Sequence, residues 1–186
     1  SRLGEWKSEP GPVFDLTVSA DELRAAISGA DGSVRWIRLR DGHEEHRFEN
    51  RTLGAWEIAF SPRGNLFAQT SRDGAIYFRD ASTGGRIDDV RGHLLGVHGL
   101  CFSPDGERLV STSIGRESIK LWDVRTRHEV ATLPTGTGAL ESPAFSPDGT
   151  WLVAIAAEGS ACVWHAPSLE QLDAEADPAP AEHAAP

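Results

Sequence analysis

The sequence lacks the residues that mark several classes of protein. It contains no methionine and only two cysteines, Cys101 and Cys162, which lie in different predicted strands. A disulfide-stapled secreted domain and a cysteine-rich metal site both need more cysteines at short spacing, so we interpret these two as small buried hydrophobic residues. No run approaches the roughly 18 apolar residues of a membrane-spanning helix. These absences favour a cytoplasmic protein with no membrane segment.

Positive charge is also scarce. The chain has 18 Lys and Arg residues against 28 Asp and Glu, for a net charge of −10, and only Lys7 and Lys120 are lysines. Affinity for nucleic-acid phosphates comes from clustered Lys and Arg, so this composition argues against a nucleic-acid partner. Helical periodicity is missing as well, because no segment sustains an apolar spacing of 3.6 residues. We therefore expect almost no helix.

What the sequence does contain is one phrase repeated at a fixed distance. Phe-Ser-Pro-x-Gly begins at Phe60, Phe102 and Phe145, 42 and 43 residues apart, and a degraded copy begins 42 residues earlier at Val18. Such a period indicates one supersecondary unit stacked on copies of itself. Each unit also holds short β-rich segments bounded by Gly, Pro, Asp or Ser, as in an antiparallel meander. Four strands and roughly 42 residues per unit match one blade of a β-propeller.

One unit carries a longer signature. Gly92-His93 precedes the phrase at Phe102, and Trp122-Asp123 ends the third predicted strand of the same unit. The order Gly-His, Phe-Ser-Pro-Asp-Gly, Trp-Asp closely resembles the WD-repeat β-propeller family, and the resemblance covers about residues 9 to 172. It implies an all-β chain of four consecutive four-stranded antiparallel blades that form an arc, which is part of a propeller.

The resemblance also divides the chain into repeats. It implies blades at residues 9–50, 51–92, 93–134 and 135–173. Residues 1–8 have the spacing of an outer strand, so we expect them to belong to a preceding blade whose other strands are absent. The chain would then be the C-terminal part of a longer bacterial protein. Residues 174–186 contain no large apolar side chain, so we expect an acidic, Ala- and Pro-rich disordered tail.

Structural roles follow from the same resemblance. In the family, a His, an Asp in the second turn and a Trp on the third strand form a buried hydrogen-bonded network in each blade. No unit of this chain has the complete set, so apolar packing must supply more of the stability. The residues to which the resemblance assigns structural roles are His93, Asp31, Asp73, Trp122, Asp123 and Trp164.

Binding by family members takes place at the face where loops enter the innermost strands. The residues at the matching positions are Phe14, Arg51, Trp56, His98 and Glu141. An exposed Trp beside an Arg is typical of residues that dominate binding at protein interfaces. The alternative is that Trp56 packs between blades while Arg51 only solvates its loop.

No pattern predicts catalysis, a metal site or a cofactor. His43 and His46 are three apart in a predicted strand, so their rings point to opposite faces. No serine occupies a Gly-x-Ser-x-Gly elbow, and the Gly-rich run 135–138 lacks the following helix that a phosphate loop needs. We expect a non-catalytic scaffold that binds a protein or peptide. The alternative is the C-terminal regulatory or sensor propeller of a bacterial serine/threonine protein kinase or another multidomain enzyme.

Overall fold

The computed structural model describes residues 12–49, 57–71, 73–114, 119–133, 135 and 138–166, with the backbone alone at Glu49. These ranges contain fifteen β-strands and no helix. The strands are β1 (Val13–Val18), β2 (Arg24–Gly29), β3 (Ser33–Arg38), β4 (Glu44–Glu49), β5 (Ile58–Phe60), β6 (Leu66–Thr70), β7 (Ala75–Asp80), β8 (Arg86–Arg91), β9 (Val97–Phe102), β10 (Arg108–Ser113), β11 (Ile119–Asp123), β12 (Glu129–Leu133), β13 (Leu140–Phe145), β14 (Trp151–Ala156) and β15 (Ala161–His165).

Consecutive strands pair into four antiparallel sheets, one for each repeat. The first three sheets have four strands in chain order, and the fourth holds β13, β14 and β15. The fourth strand predicted for the last blade lies outside the described ranges. The inner strands pack in sequence, β1 on β5, β5 on β9 and β9 on β13. The prediction of an all-β chain of four propeller blades is confirmed.

The finer division of the chain stays a prediction. The blade boundaries at residues 9–50, 51–92, 93–134 and 135–173 fall in connecting segments or outside the described ranges. The outer strand predicted for residues 1–8 and the tail predicted for residues 174–186 both lie wholly outside those ranges.

The repeated phrase folds into a tight turn between the first and second strands of each blade. In the third blade, the Ser103 hydroxyl donates to Asp105 over 2.6 Å and accepts the Arg108 amide over 2.9 Å. Gly106 closes the turn with φ +68°, where a Cβ is disfavoured. The first blade has Glu22 at that position with φ +57°. The backbone geometry therefore persists even where the phrase itself has been lost.

The core is divided into three layers, one at each junction between neighbouring blades. The first layer centres on Trp36 of β3, which is fully buried against the second blade. Its ring meets Phe48 edge-on at 5.1 Å and Phe67 edge-on at 5.9 Å. Aromatic pairs in this geometry add stability beyond the area that they bury. Each blade thus buries one face of its sheet only by packing on the next blade.

Replacing Trp36 with Ala should lower the free energy of unfolding by about 3–5 kcal/mol, because it leaves a large cavity between two blades. Urea denaturation of the 186-residue chain measures this loss. Trp151→Ala is the matched control, since that ring is 46% exposed and its removal opens no cavity. Equal losses from the two substitutions would contradict the assignment of Trp36 to the junction core.

Candidate partner-binding site

The four inner strands begin at one end of the arc, which we call the start face. A cavity of about 270 Å³ opens there, and residues from all four blades line it. The lining residues are Phe14, Glu57, His98, Glu141 and Ser142. The structure thus brings together three of the predicted site residues, Phe14, His98 and Glu141. The other two, Arg51 and Trp56, lie outside the described residues.

The opposite end of the arc, the turn face, has a different character. A cavity of about 560 Å³ there is lined by the Phe-Ser-Pro segments of three blades together with Val18 and Ala20 of the first. Neighbouring turns touch, since a Cβ on Gly106 would lie 2.9 Å from the Arg63 side chain. The turn face is therefore built from the repeated phrase. The start-face cavity, by contrast, is lined by the carboxylates of Glu57 and Glu141.

Three carboxylates from three blades meet near the start-face cavity. Asp15 accepts a hydrogen bond from the Ile58 amide over 2.9 Å, which ties β1 to β5. Burial, together with the neighbouring Asp15 and Glu141 carboxylates, raises the pKa of Glu57 to about 8. A proton or another positive charge at this point relieves the repulsion among the three groups.

Glu141 reaches the cavity through an irregularity in β13. The pairing register of β13 with β14 shifts between Glu141 and Ala144, and Ser142 has φ +48°. A β-bulge of this kind redirects the side chains beside it. The neighbouring blade fits closely here, because a Cβ on Gly99 would lie 2.4 Å from Pro143. Glycine at position 99 allows the bulge to approach β9.

Sequence reasoning missed two parts of this face. Glu57 directly follows the predicted Trp56, and only the stacking of the blades brings it near Asp15 and Glu141. Leu94 and Leu95 lie in the loop that leads into β9, and Leu94 is 87% exposed. Two adjacent leucines just after the Gly92-His93 motif are a signal that could have pointed to this exposed apolar pair.

The third blade contains a buried hydrogen-bonded chain that joins β10, β11 and the loop leading into β9. The Trp122 indole N–H donates to the Ser111 hydroxyl over 2.8 Å, and His93 Nε2 lies 2.7 Å from the same oxygen. All three side chains are buried. Sequence analysis singled out His93 and Trp122 but not the serine between them.

The second blade has a different pair at the matching positions. Gln69 stands where Ser111 does, Arg79 stands where Trp122 does, and Arg79 Nε donates to Gln69 Oε1 over 3.1 Å. Burial lowers the pKa of Arg79, while a further bond to the Gly84 carbonyl over 3.0 Å supports its guanidinium. The two blades therefore join their second and third strands by polar bonds of different chemistry.

The aspartates assigned structural roles all make hydrogen bonds or ion pairs within their own blades. Burial opposes ionisation of Asp31, but hydrogen bonds from Ser33 and the Arg35 guanidinium outweigh it and hold the pKa of Asp31 at about 2. Asp73 pairs with Arg91 over 3.0 Å. In the third blade, Asp123 accepts a bond from Arg108 over 2.6 Å and one from the Thr126 amide over 2.8 Å. Trp164 packs half-buried against the core layer between the third and fourth blades.

Histidine and acidic residues do not gather into a metal-binding arrangement in the described ranges. No group of three or more His, Cys, Asp or Glu side chains there is placed to hold a metal ion. His46 packs edge-on against Trp36 with ring centroids 5.5 Å apart. Those ranges also contain no helix long and apolar enough to cross a membrane.

The repeat geometry and the motifs agree with a family model. Residues 84–123 and 128–165 match the model described as WD domain, G-beta repeat. These two segments are WD repeats, and the four blades have the β-propeller fold typical of that family. The matched segments run from the outer strand β8 of the second blade to β15 of the fourth, and the first two blades are four-stranded sheets like the third.

Individual relatives share these repeats over part of their length. An uncharacterized WD repeat-containing protein of Synechocystis sp. is 28% identical over 143 residues, which covers 77% of this chain and 41% of the relative. WD repeat-containing protein 1 of Mus musculus is 37% identical over 87 residues, or 45% of this chain and 14% of the relative. The solved structure of U3-55K superposes with a TM-score of 0.73 at 21% identity, covering 87% of this chain and 54% of that one. The chain thus spans less than half the length of these two curated relatives.

Glu57→Gln should stabilise the protein in a pH-dependent way. Because the pKa of Glu57 is raised from 4.5 to about 8, the folded state binds this proton more tightly than the unfolded state. The stability that the proton confers is complete below pH 4.5 and is lost as pH rises through 8. Glutamine stays neutral at every pH, so the variant does not lose this stability. Its Tm should exceed that of the wild-type protein by little at about pH 5 and by more towards about pH 9.

Thermal melts of both proteins across that range measure the effect. Glu158→Gln, at an exposed turn of the fourth blade, is the control and should show no such trend. A Tm difference for Glu57→Gln that is constant with pH would contradict the shared carboxylate cluster.

Ser111→Ala should cost about 1–3 kcal/mol, because it leaves the buried Trp122 indole without the acceptor that it uses. Chemical denaturation compares it with Ser160→Ala, where the serine is exposed in a turn and the change should be nearly neutral. If Ser111→Ala were equally neutral, the hydroxyl would not be a structural link.

Proposed function

We propose that this chain is a non-catalytic scaffold whose start face binds a protein or peptide partner. The observation that supports it best is the convergence of four blades on one cavity, with Phe14, Glu57, His98 and Glu141 around it. Stacked repeats hold such a surface rigid, so binding does not have to order it first. The kinase-associated alternative draws no support from any described residue.

The lining indicates the chemistry of the partner. Asp15, Glu57 and Glu141 concentrate negative charge, and Glu57 holds a proton near neutral pH to reduce it. A lysine or arginine side chain of a partner can supply that positive charge instead. The half-exposed Phe14 ring lines the same cavity and would add an aromatic contact to the bound cation.

Apolar contacts are available beside the charge. Leu94 and Leu95 project from the loop before β9, at the same end of the arc. A peptide that places a basic side chain in the cavity can lay apolar residues on this pair. The preferred partner is therefore a segment that carries a basic residue flanked by apolar ones.

Selection from a random peptide library displayed on phage tests this proposal. The 186-residue chain is immobilised, and enriched peptides are synthesised and titrated by fluorescence anisotropy. We expect enriched peptides to carry Arg or Lys, and Glu141→Lys to weaken binding at least about tenfold through charge repulsion. Phe14→Ala should weaken it as well, because it removes the exposed ring.

Asp88→Lys is the matched control, since it makes the same change in net charge on the exposed outer strand β8. It should leave peptide affinity nearly unchanged. A library that yields no binder, or binders indifferent to both Phe14→Ala and Glu141→Lys, would contradict the start face as the binding surface.

A further inference from the structure

A further cavity, of about 340 Å³, lies on the turn face between the second and third blades. Three arginines line it: Arg63 from the turn between β5 and β6, and Arg125 and Arg127 from the turn between β11 and β12. Among the described residues, Glu107 is the one carboxylate in the lining. The cavity is therefore positively charged, although the chain as a whole carries a net charge of −10.

Arg127 occupies a backbone position that the matching turns of the first two blades give to glycine. Gly42 and Gly84 have φ +71° and +69° there, and Arg127 has φ +63°. The amide of each of the three residues donates to the carbonyl four residues earlier, so the turns are alike. This left-handed backbone is unfavourable for a residue with a Cβ, and such strain is concentrated at functional sites. The strain at Arg127 therefore points to a use for its side chain.

The Arg127 guanidinium crosses the blade junction beside the cavity. It lies over the buried Phe78 ring of the second blade, 4.2 Å from the ring centroid, and its Nη1 is buried without a hydrogen-bond partner among the described residues. Burial lowers the pKa of Arg127, and the Asp88 and Asp123 carboxylates offset this only in part. An anion in the cavity would stabilise the charged guanidinium.

The other two arginines differ in how far their donors are used. Arg63 Nε donates to the Asp105 carbonyl over 2.7 Å, and its guanidinium pairs with Glu107. Arg125 is exposed and makes no hydrogen bond to the described residues. Donors on Arg125 and Arg127 are thus available to a ligand, and Arg63 can exchange Glu107 for one.

We propose that this cavity binds a phosphate group, carried by a phosphorylated side chain of a partner protein or present as the free ion. Guanidinium groups present several N–H donors in one plane, which suits the multiple oxygens of a phosphate dianion, and arginine clusters recognise phosphorylated residues in this way. The site uses other residues than the start face and lies at the opposite end of the blades. It is therefore independent of the partner proposed there.

Titration of the isotope-labelled 186-residue chain with O-phosphoserine, followed by NMR of the arginine Nε–H signals, tests the proposal. We expect shifts that saturate. Arg125→Gln and Arg127→Gly should each weaken binding at least about tenfold, because each removes a charge-assisted hydrogen bond. Glu107→Gln should instead tighten binding, since it removes a repelling carboxylate and frees Arg63.

Arg40→Gln is the matched control. Arg40 holds the place of Arg125 in the first blade but already pairs with Asp41 over 3.4 Å, so its removal should leave the affinity unchanged. Glycine adopts the backbone of position 127 freely, and a thermal melt of Arg127→Gly shows that the variant is folded.

A second titration with inorganic phosphate distinguishes the two sources of the group. Tighter binding of O-phosphoserine assigns the site to a phosphorylated protein, and equal affinity assigns it to the free ion. Shifts that do not saturate with either probe, or an affinity that neither arginine substitution weakens, would overturn the proposal.

Discussion

The packing of one sheet face on the next is the interaction on which the rest of this structure depends. A four-stranded blade has two faces and cannot bury its apolar side chains alone. Trp36 and Phe78 reach full burial only because a following blade covers them. The fixed period of the sequence follows from this requirement, since every unit must present the same two surfaces at the same spacing.

The candidate site is a consequence of that stacking. When blades pack in sequence, their inner strands converge, and whatever stands at the start of each strand is brought to one opening. Here this buries Glu57 beside Asp15 and Glu141, and burial together with these carboxylates raises the pKa of Glu57 to about 8. Clustered carboxylates are unfavourable for folding above that pKa, and the proposed binding of a basic side chain would offset this cost.

Sequence reasoning reached the features that the repeat itself encodes and missed those that depend on neighbours. The turn phrase predicted the hydrogen-bonded turn at Ser103, and the family motif pointed to His93 and Trp122. The sequence could not identify Ser111 as the residue that links His93 to Trp122, because small polar residues occur at many positions of the predicted strands. Glu57 and the bulge at Ser142 were out of reach for another reason. Their surroundings depend on how neighbouring blades pack together, and the repeat period of the sequence does not specify that packing.

The blades also show which parts of a repeat are free to diverge. The serine–tryptophan bond of the third blade is replaced by Gln69 and Arg79 in the second, while the first blade has Ile27 and Ile37 at those positions. A polar, a charged or an apolar pair can therefore occupy these two positions, because the turns and the strand register hold the backbone in place. What must be kept is the geometry that lets one blade cover the next. Divergence of the linking pairs is then tolerated even at some cost, since the buried Nε2 of Gln69 has no hydrogen-bond partner among the described residues.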